Sequence, residues 1–376
     1  MKKMKHSILA YLLFLLVGLS PRFSSCQSLA ENPDKPNILL FYVDDVTYTA
    51  VHALGNNEII TPNLDKMVES GVTFTHAYNM GSWTGAVCIA SRAMMNTGRF
   101  LWRAEASNYD EMVGRGEIWS QLLKKGGYNT YMAGKWHVQS KALDVEKLFN
   151  QLGHVHEGNP GNAYTGHKWD FVNGVKELEK QYGVGSSNGI VPVGYNQIMP
   201  FGFNRPLSPA DTAWQPWNKQ LGGYWEGGKH WSEVLGNDAV AFLNSAKEND
   251  DPFFMYLAFN AAHYLRQSPK EYIDMYSLKN ISLPESYLPV YPYRSDSIDQ
   301  YFGQTDLILA PFPRSEYAMK VHRQEYYALI THMDHEIGRI LDALEKSGKA
   351  DNTYIFFTAD QGVAVGDHGM MGKQNM

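Results

Sequence analysis

The chain has only two cysteines, Cys26 and Cys88, among 376 residues. At most one disulfide can form, so a disulfide framework is excluded as the source of stability. Positive charge is not in excess either: 33 Lys and Arg against 39 Asp and Glu give a formal net charge of −6. That balance provides no general attraction to nucleic acid or to an anionic membrane face, and an anionic ligand would need a local cluster of cations. The apolar run that opens the chain, Ile8–Leu19, follows Lys2, Lys3 and Lys5. It is too short to span a bilayer comfortably and has the layout of a secretory signal. Internal repeats and low-complexity segments are missing as well.

The organisation expected is a signal peptide over 1–25, a linker over 26–35 and one α/β domain over 36–376. Small residues at Ser24 and Ser25 suit cleavage, and Cys26 offers a lipoprotein site, although Phe23 fits a lipobox badly. Removing Lys2, Lys3, Lys5 and Arg22 leaves 29 basic against 39 acidic residues, a charge of −10. With Cys26 at the processing site, Cys88 has no intramolecular partner. Two readings of it compete: a buried small hydrophobe, or a thiol kept for chemistry.

The segment NILLFYV, 37–43, is a continuous apolar strand of the kind covered on both faces of a parallel sheet. A helix follows, with Thr61 as cap, Pro62 at its first position and Gly71 as its stop. VTFTHAY, 72–78, reads as a strand. Helices are expected around 117–125, over about 232–247 and from Ser315 to Gly348, the last with Tyr326, Ile330, Met333, Ile337, Ile340 and Leu344 on one face. Each precedes an apolar strand: YNTYMAG, FFMYLAF and TYIFFTAD. This alternation predicts an α/β fold with a largely parallel sheet and helices on both faces, with ligands gathered beyond the carboxyl ends of the strands. Residues 150–230 and 277–314, rich in Gly, Pro, Trp and Tyr, read as long loops that wall a substrate site.

Polar residues collect where such a site would be: Asp44 and Asp45, Lys135 and His137, His263, and Asp360 with Gln361 each follow a different strand. Three carboxylates and an amide oxygen suit Ca²⁺ or Mg²⁺ rather than Zn²⁺ or Cu²⁺. Either acidic pair alone could instead cap a helix, and a lone histidine is commonly structural. Cys88 precedes the helix-compatible SRAMMNTG, which puts it near a helix N-terminus with Arg92 one turn further on.

The run Cys88, Ile89, Ala90, Ser91, Arg92, then Ala93 to Asn96, then Thr97, Gly98 and Arg99 resembles the signature of the formylglycine-dependent sulfatases of the alkaline phosphatase superfamily. AGKWH at 133–137, NAAH at 260–263 and the stretch from Thr358 to Lys373 agree with it. The resemblance implies that Cys88 is oxidised to formylglycine, whose hydrate is the nucleophile. It implies that Asp44, Asp45, Asp360 and Gln361 hold Ca²⁺, with Mg²⁺ as the lesser choice, and that the converted Cys88 also ligates the ion. Arg92 and Lys135 would balance charge, His137 would take a proton as sulfate leaves, and His263 and Lys373 would bind sulfate and protonate the leaving alkoxide. Arg99, Lys229 and Arg266 could extend the cationic cluster, against a reading of ordinary surface charge.

Two positions depart from the commoner pattern. Gln361 stands where Asn or His is usual, and Ala90 replaces Pro, a variant that in relatives goes with an oxygen-independent radical maturase. Relatives also continue past the position of Lys373, so the chain is expected to be truncated at its C-terminus, without a smaller subdomain. The expected substrate is a sulfate ester, with WQPWNKQLGGYWEGGKHW, 214–231, as an aromatic platform for a sulfated carbohydrate or as core packing. Phosphonate or phosphate ester hydrolysis, and an inactive sugar-binding remnant, are the alternatives. The expected partners are the substrate and a formylglycine-generating maturase, with no nucleic acid and no transmembrane segment, and the expected location is periplasmic or secreted.

Overall fold

The computed structural model describes residues 35–83, 87–138, 145–156, 206, 208–210, 215–219, 225–264, 266–292 and 313–373. Within Pro36–Met376 the strands are β1 (Asn37–Val43), β2 (Asn129–Lys135), β3 (Gln151–His156), β4 (Trp225–Glu226), β5 (Lys229–His230), β6 (Phe253–Ala258), β7 (Thr353–Ala359), β8 (Ala364–Val365) and β9 (Met371–Gly372). The α-helices are α1 (Pro62–Ser70), α2 (Val87–Thr97), α3 (Ala106–Arg115), α4 (Trp119–Lys125), α5 (Val145–Leu148), α6 (Trp231–Lys247), α7 (Lys270–Asp274) and α8 (Glu316–Ser347).

Five strands form one sheet in the order β3-β2-β6-β1-β7, and every pairing in it is parallel. The period of two in a strand sends alternate side chains into two cores. Leu39, Phe41 and Val43 of β1 and Phe253, Met255 and Leu257 of β6 enter one core with α1, α6, α7 and α8. Leu40, Tyr42, Phe254, Tyr256 and Ala258 enter the other with residues of α2, α3 and α5. Burial on both faces is why these strands read as unbroken apolar runs.

The expected helices are present. α8 starts at Ser315, whose Oγ accepts from the Ala318 amide at 3.0 Å, and stops at Gly348 in the left-handed region, φ 76°. VTFTHAY is not a strand: no ladder forms there, and Val72, Phe74 and Tyr78 are 85%, 80% and 82% exposed. Its alternation gives one apolar face, but among the described residues no strand pairs with it. The region read as a loop from 150 contains β3, which pairs with β2. Most of 157–224 and all of 293–312 lie outside the described residues, as do the expected signal peptide, Cys26 and most of the linker, so the substrate wall is not described. No described helix is long and apolar enough to cross a membrane.

Candidate active site

Apart from Lys373, every predicted site residue lies at or beyond the carboxyl end of a strand of the five-stranded sheet or is carried on α2. Asp44 and Asp45 follow β1, Lys135 ends β2 and His137 comes two residues later. His263 lies past β6, Asp360 and Gln361 follow β7, and Lys373 follows the β8–β9 hairpin. Cys88 and Arg92 are on α2, one turn apart. All of these except His137 are buried.

The loops are tied together by backbone. The Asp44 amide donates to Ala261 O at 3.0 Å, the Ala262 amide to Asp44 O at 2.5 Å, and the Asp360 amide to Val43 O at 3.0 Å. The Asp45 amide donates to Asp360 Oδ1 at 3.2 Å. Three cations then meet the three carboxylates. Lys135 Nζ contacts Asp44 Oδ2, Arg92 Nη2 donates to Asp360 Oδ2 at 3.0 Å, and Lys373 Nζ donates to Asp45 Oδ1 at 2.7 Å. Arg92 also donates through Nη1 to Lys135 O at 2.9 Å and lies 4.9 Å from the centre of the Tyr42 ring. Buried charges persist only when paired in this way.

Cys88 sits inside this set. Its Sγ is 2.9 Å from Lys373 Nζ, 3.3 Å from Gln361 Nε2 and 3.7 Å from Asp44 Oδ1. Burial pushes the thiol up to about 11 despite the nearby Lys135 and Lys373. Burial likewise raises Asp360, with Asp44 adding to the shift, to about 7. For Asp44 burial acts upward too, but Lys135, His263, Lys373 and Arg92 outweigh it and hold the carboxyl well below its usual range. His263 is held well below the ordinary histidine range, by burial first and then by Lys373. Its Nδ1 pairs with Tyr264 O, which favours the ring proton on Nδ1 and leaves Nε2, 3.9 Å from Asp45 Oδ2, unprotonated. His137, lowered by burial and then by Lys135 to about 2, keeps a buried Nδ1 without a partner among the described residues.

The donor set fits a hard divalent cation. Asp44, Asp45 and Asp360 each offer an oxygen within 4.8 Å of the others. Asp45 Oδ2 and Gln361 Oε1 are buried without hydrogen-bond partners among the described residues, and carboxylate and amide oxygens are what such an ion takes.

Of the further cations, Arg99 pairs with Glu117 at 3.4 Å and Lys229 with Glu233 at 2.7 Å, both as partly exposed surface pairs. Arg266 departs from the surface reading: it is 1% exposed, its guanidinium 5.4 Å from the centre of the Tyr326 ring. In the aromatic stretch Trp231 is core and Trp217 packs on the same core, while Lys219 Nζ lies 4.7 Å from the centre of the Trp225 ring; Trp214 lies outside the described residues. Sequence reasoning missed Asn79, whose Nδ2 donates to Asp360 O at 2.8 Å and pins the segment before α2 to the site. It also took Tyr326 for a core residue only. Asn79 lies in no recognisable pattern, and the helical spacing that holds Tyr326 marks it as core without marking its contact with Asp45.

The sequence model of the family described as Sulfatase matches residues 36–375. An arylsulfatase of Clostridium perfringens is 29% identical over 352 residues, 90% of this chain and 65% of the relative. An N-acetylglucosamine-6-O-sulfatase of Bacteroides thetaiotaomicron is 27% identical over 380 residues, 97% of this chain and 64% of the relative. The chain thus spans just under two thirds of the length of these relatives. A solved structure in complex with its substrate D-glucosamine-2-N,6-O-disulfate has a TM-score of 0.56 at 20% identity, over 91% of this chain and 68% of that one. A phosphonate monoester hydrolase of Silicibacter pomeroyi has a TM-score of 0.56 at 18% identity, over 89% and 64%. At these identities the two structures speak for the fold alone. A signature around Cys88, a parallel sheet whose strand ends carry the acidic and cationic groups, and a family match over nearly the whole described domain lead to one statement: this chain belongs to the sulfatase family.

Proposed function

We propose that this chain carries the catalytic site of an exported sulfuric ester hydrolase that removes sulfate from a sulfated carbohydrate. In this reading Cys88, converted to formylglycine, is the nucleophile. The divalent cation is Ca²⁺ rather than Mg²⁺, because three carboxylates within 4.8 Å of one another, with the Gln361 amide beside them, suit the larger ion, whereas Mg²⁺ usually keeps several of its waters. The observation that carries the reading is the position of Cys88 Sγ at the start of α2, within 3.7 Å of Asp44, Gln361 and Lys373. A thiol pushed up to about 11 is protonated at neutral pH and is a poor nucleophile as it stands.

Once the group is in place, the hydrate supplies two hydroxyls on one carbon, and the cation supplies charge that lowers their pKa. The chain's own residues do the rest. Asp44, Asp45, Asp360 and Gln361 hold the ion. Lys135 holds Asp44 ionised, and Arg92 aims Asp360 and pulls against the burial that raises it. Lys373, kept protonated by Asp45 even against burial, is the donor presented to the leaving alkoxide. His263, neutral with a bare Nε2, accepts a hydrogen bond or a proton before it can donate one. His137, also neutral, is in the form a base needs as sulfate leaves, while burial and Lys135 hold its proton affinity low.

The carbohydrate class is supported by the names of relatives, among them the N-acetylglucosamine-6-O-sulfatase and an iduronate 2-sulfatase. The phosphonate monoester hydrolase of like fold keeps phosphorus esters as the second reading. The test is co-expression with a formylglycine-generating maturase, a peptide map of residue 88, and hydrolysis of matched sulfate and phosphonate esters. Aldehyde at residue 88 with sulfate released faster is the expected result. An unconverted thiol in active protein, or faster cleavage of the phosphonate ester, would overturn the reading.

A further inference from the structure

Adjacent residues of an extended strand point to opposite faces of the sheet, yet Asp44 and Asp45 both offer an oxygen to one cluster with Asp360. The chain must therefore turn at this point. Asp45 makes the turn with φ 58°, in the left-handed region that aspartate enters more readily than most non-glycine residues. Such a turn takes its own carbonyl and the amides that follow out of the sheet, where they need other partners.

One side chain supplies them. Tyr326, on α8 and 3% exposed, donates its hydroxyl proton to Asp45 O at 2.9 Å. The Tyr326 phenol oxygen in turn accepts from the Thr47 amide at 3.0 Å. The phenol thus closes residues 45–47 into a ring that the backbone does not close by itself, while the Asp45 amide is held from the other side by Asp360 Oδ1. The Tyr326 ring is fixed in turn by the core around α8 and by the Arg266 guanidinium.

We propose that Tyr326 is a positioning residue of the cation site: its hydroxyl holds the left-handed turn that brings the Asp45 carboxylate alongside that of Asp44. The inference rests on the cation-site reading above, and its test separates the two. Ca²⁺ affinity is measured by chelator competition on unconverted protein, so activity plays no part. Tyr326→Phe keeps the ring and removes one oxygen, and should bind Ca²⁺ about tenfold more weakly or worse, the scale of lost outer-shell support at metal sites. Thr47→Pro removes the amide arm, together with the Thr47 hydroxyl 3.4 Å from the phenol, at a residue whose φ of −74° suits proline; the phenol keeps its bond to Asp45 O, so the variant should fall between Tyr326→Phe and wild type. Tyr327→Phe, on the same helix as Tyr326, loses bonds to Asn56 and Glu58 instead and should stay within about twofold of wild type, well below the loss expected for a lost outer-shell partner.

Unchanged affinity in whichever of Tyr326→Phe and Thr47→Pro folds overturns the positioning role alone. No Ca²⁺ binding by wild type, or undiminished binding by Asp360→Asn, overturns the cation-site reading and the inference with it. Hydrogen exchange of wild-type protein gives a reading that needs no variant. The Thr47 amide should be protected like those of α8, and exchange at the rate of a surface loop would sink the inference.

Discussion

Cys88 is placed so that its own chemistry is suppressed: the thiol is buried, protonated and touched by an ammonium, an amide and a carboxylate. Removing the side chain should therefore cost function and little else. Cys88→Ala is expected to lower sulfate release by about 10⁴-fold or more, the scale of losing a nucleophile, with an unchanged circular dichroism spectrum. Arg92 is the opposite case, because it pairs with Asp360 at 3.0 Å with both side chains fully buried. Arg92→Ala leaves a buried carboxylate uncompensated and should cost about 3–5 kcal/mol in urea unfolding. Arg92→Lys, which keeps the charge but not the two-pronged reach to Asp360 and Lys135 O, should cost less. These two residues were legible in the sequence because chemistry fixes their spacing on one helix. Asn79 and Tyr326 were not, since each acts through a backbone atom of a residue more than 200 positions away, and contacts at such range leave no local trace.

Helices and strands were legible where one local pattern decides them, as in α8 with its serine cap and terminal glycine. They were not where pairing decides: β3, QLGHVH, has no apolar run and is a strand because β2 lies beside it, while the alternating 72–78 has no such neighbour. The seam between α6 and α8 carries a titration that the sequence did not announce. His230 caps α6, its Nδ1 accepting from the Ser232 amide at 3.2 Å, and its ring centre is 4.8 Å from that of His332 on α8. Burial lowers His230 to about 3 and holds His332 well below its ordinary range. Folded-state values below the unfolded value near 6.5 mean that the unfolded chain takes up protons first. The stability from these neutral rings is complete above about pH 6.5 and drains away as the pH falls toward 3. His230→Asn keeps a good cap without a titrating ring, so between pH 7 and 5 it should lose about 2 kcal/mol less than wild type in urea midpoints. In β2, Gly134 has φ 93°, and a Cβ there would meet Ala258 O at 1.9 Å. Gly134→Ala should force β2 from β6, drag Lys135 off Asp44, and reduce both the melting temperature and Ca²⁺ affinity.

The whole molecule sets an acidic chain around a pocket where three cations balance three carboxylates, and among the described residues its sheet ends in a strand built like an interior one. Among the described residues β7 pairs with β1 on one side only, and its unbroken TYIFFTA leaves Tyr354 63% and Phe356 51% exposed. Its composition was legible, but its rank in the sheet was not, because strand order depends on which segments flank it and no residue in β7 encodes that. An uncovered edge presents free backbone donors and acceptors beside apolar rings, the arrangement that pairs with another chain. The net charge of −6 opposes this only at long range and is screened within about 8 Å at physiological salt. The chain as it stands should therefore self-associate at raised concentration, more so in high salt. Phe356→Lys places a charge on the exposed face, costs little burial and keeps the ladder to β1, so it should hold the protein monomeric in light scattering while Ca²⁺ affinity stays at the wild-type value. Equal association by the variant would mean that contacts elsewhere, such as the exposed Phe74 and Tyr78, drive the process; a matching loss with Phe74→Lys would locate it there.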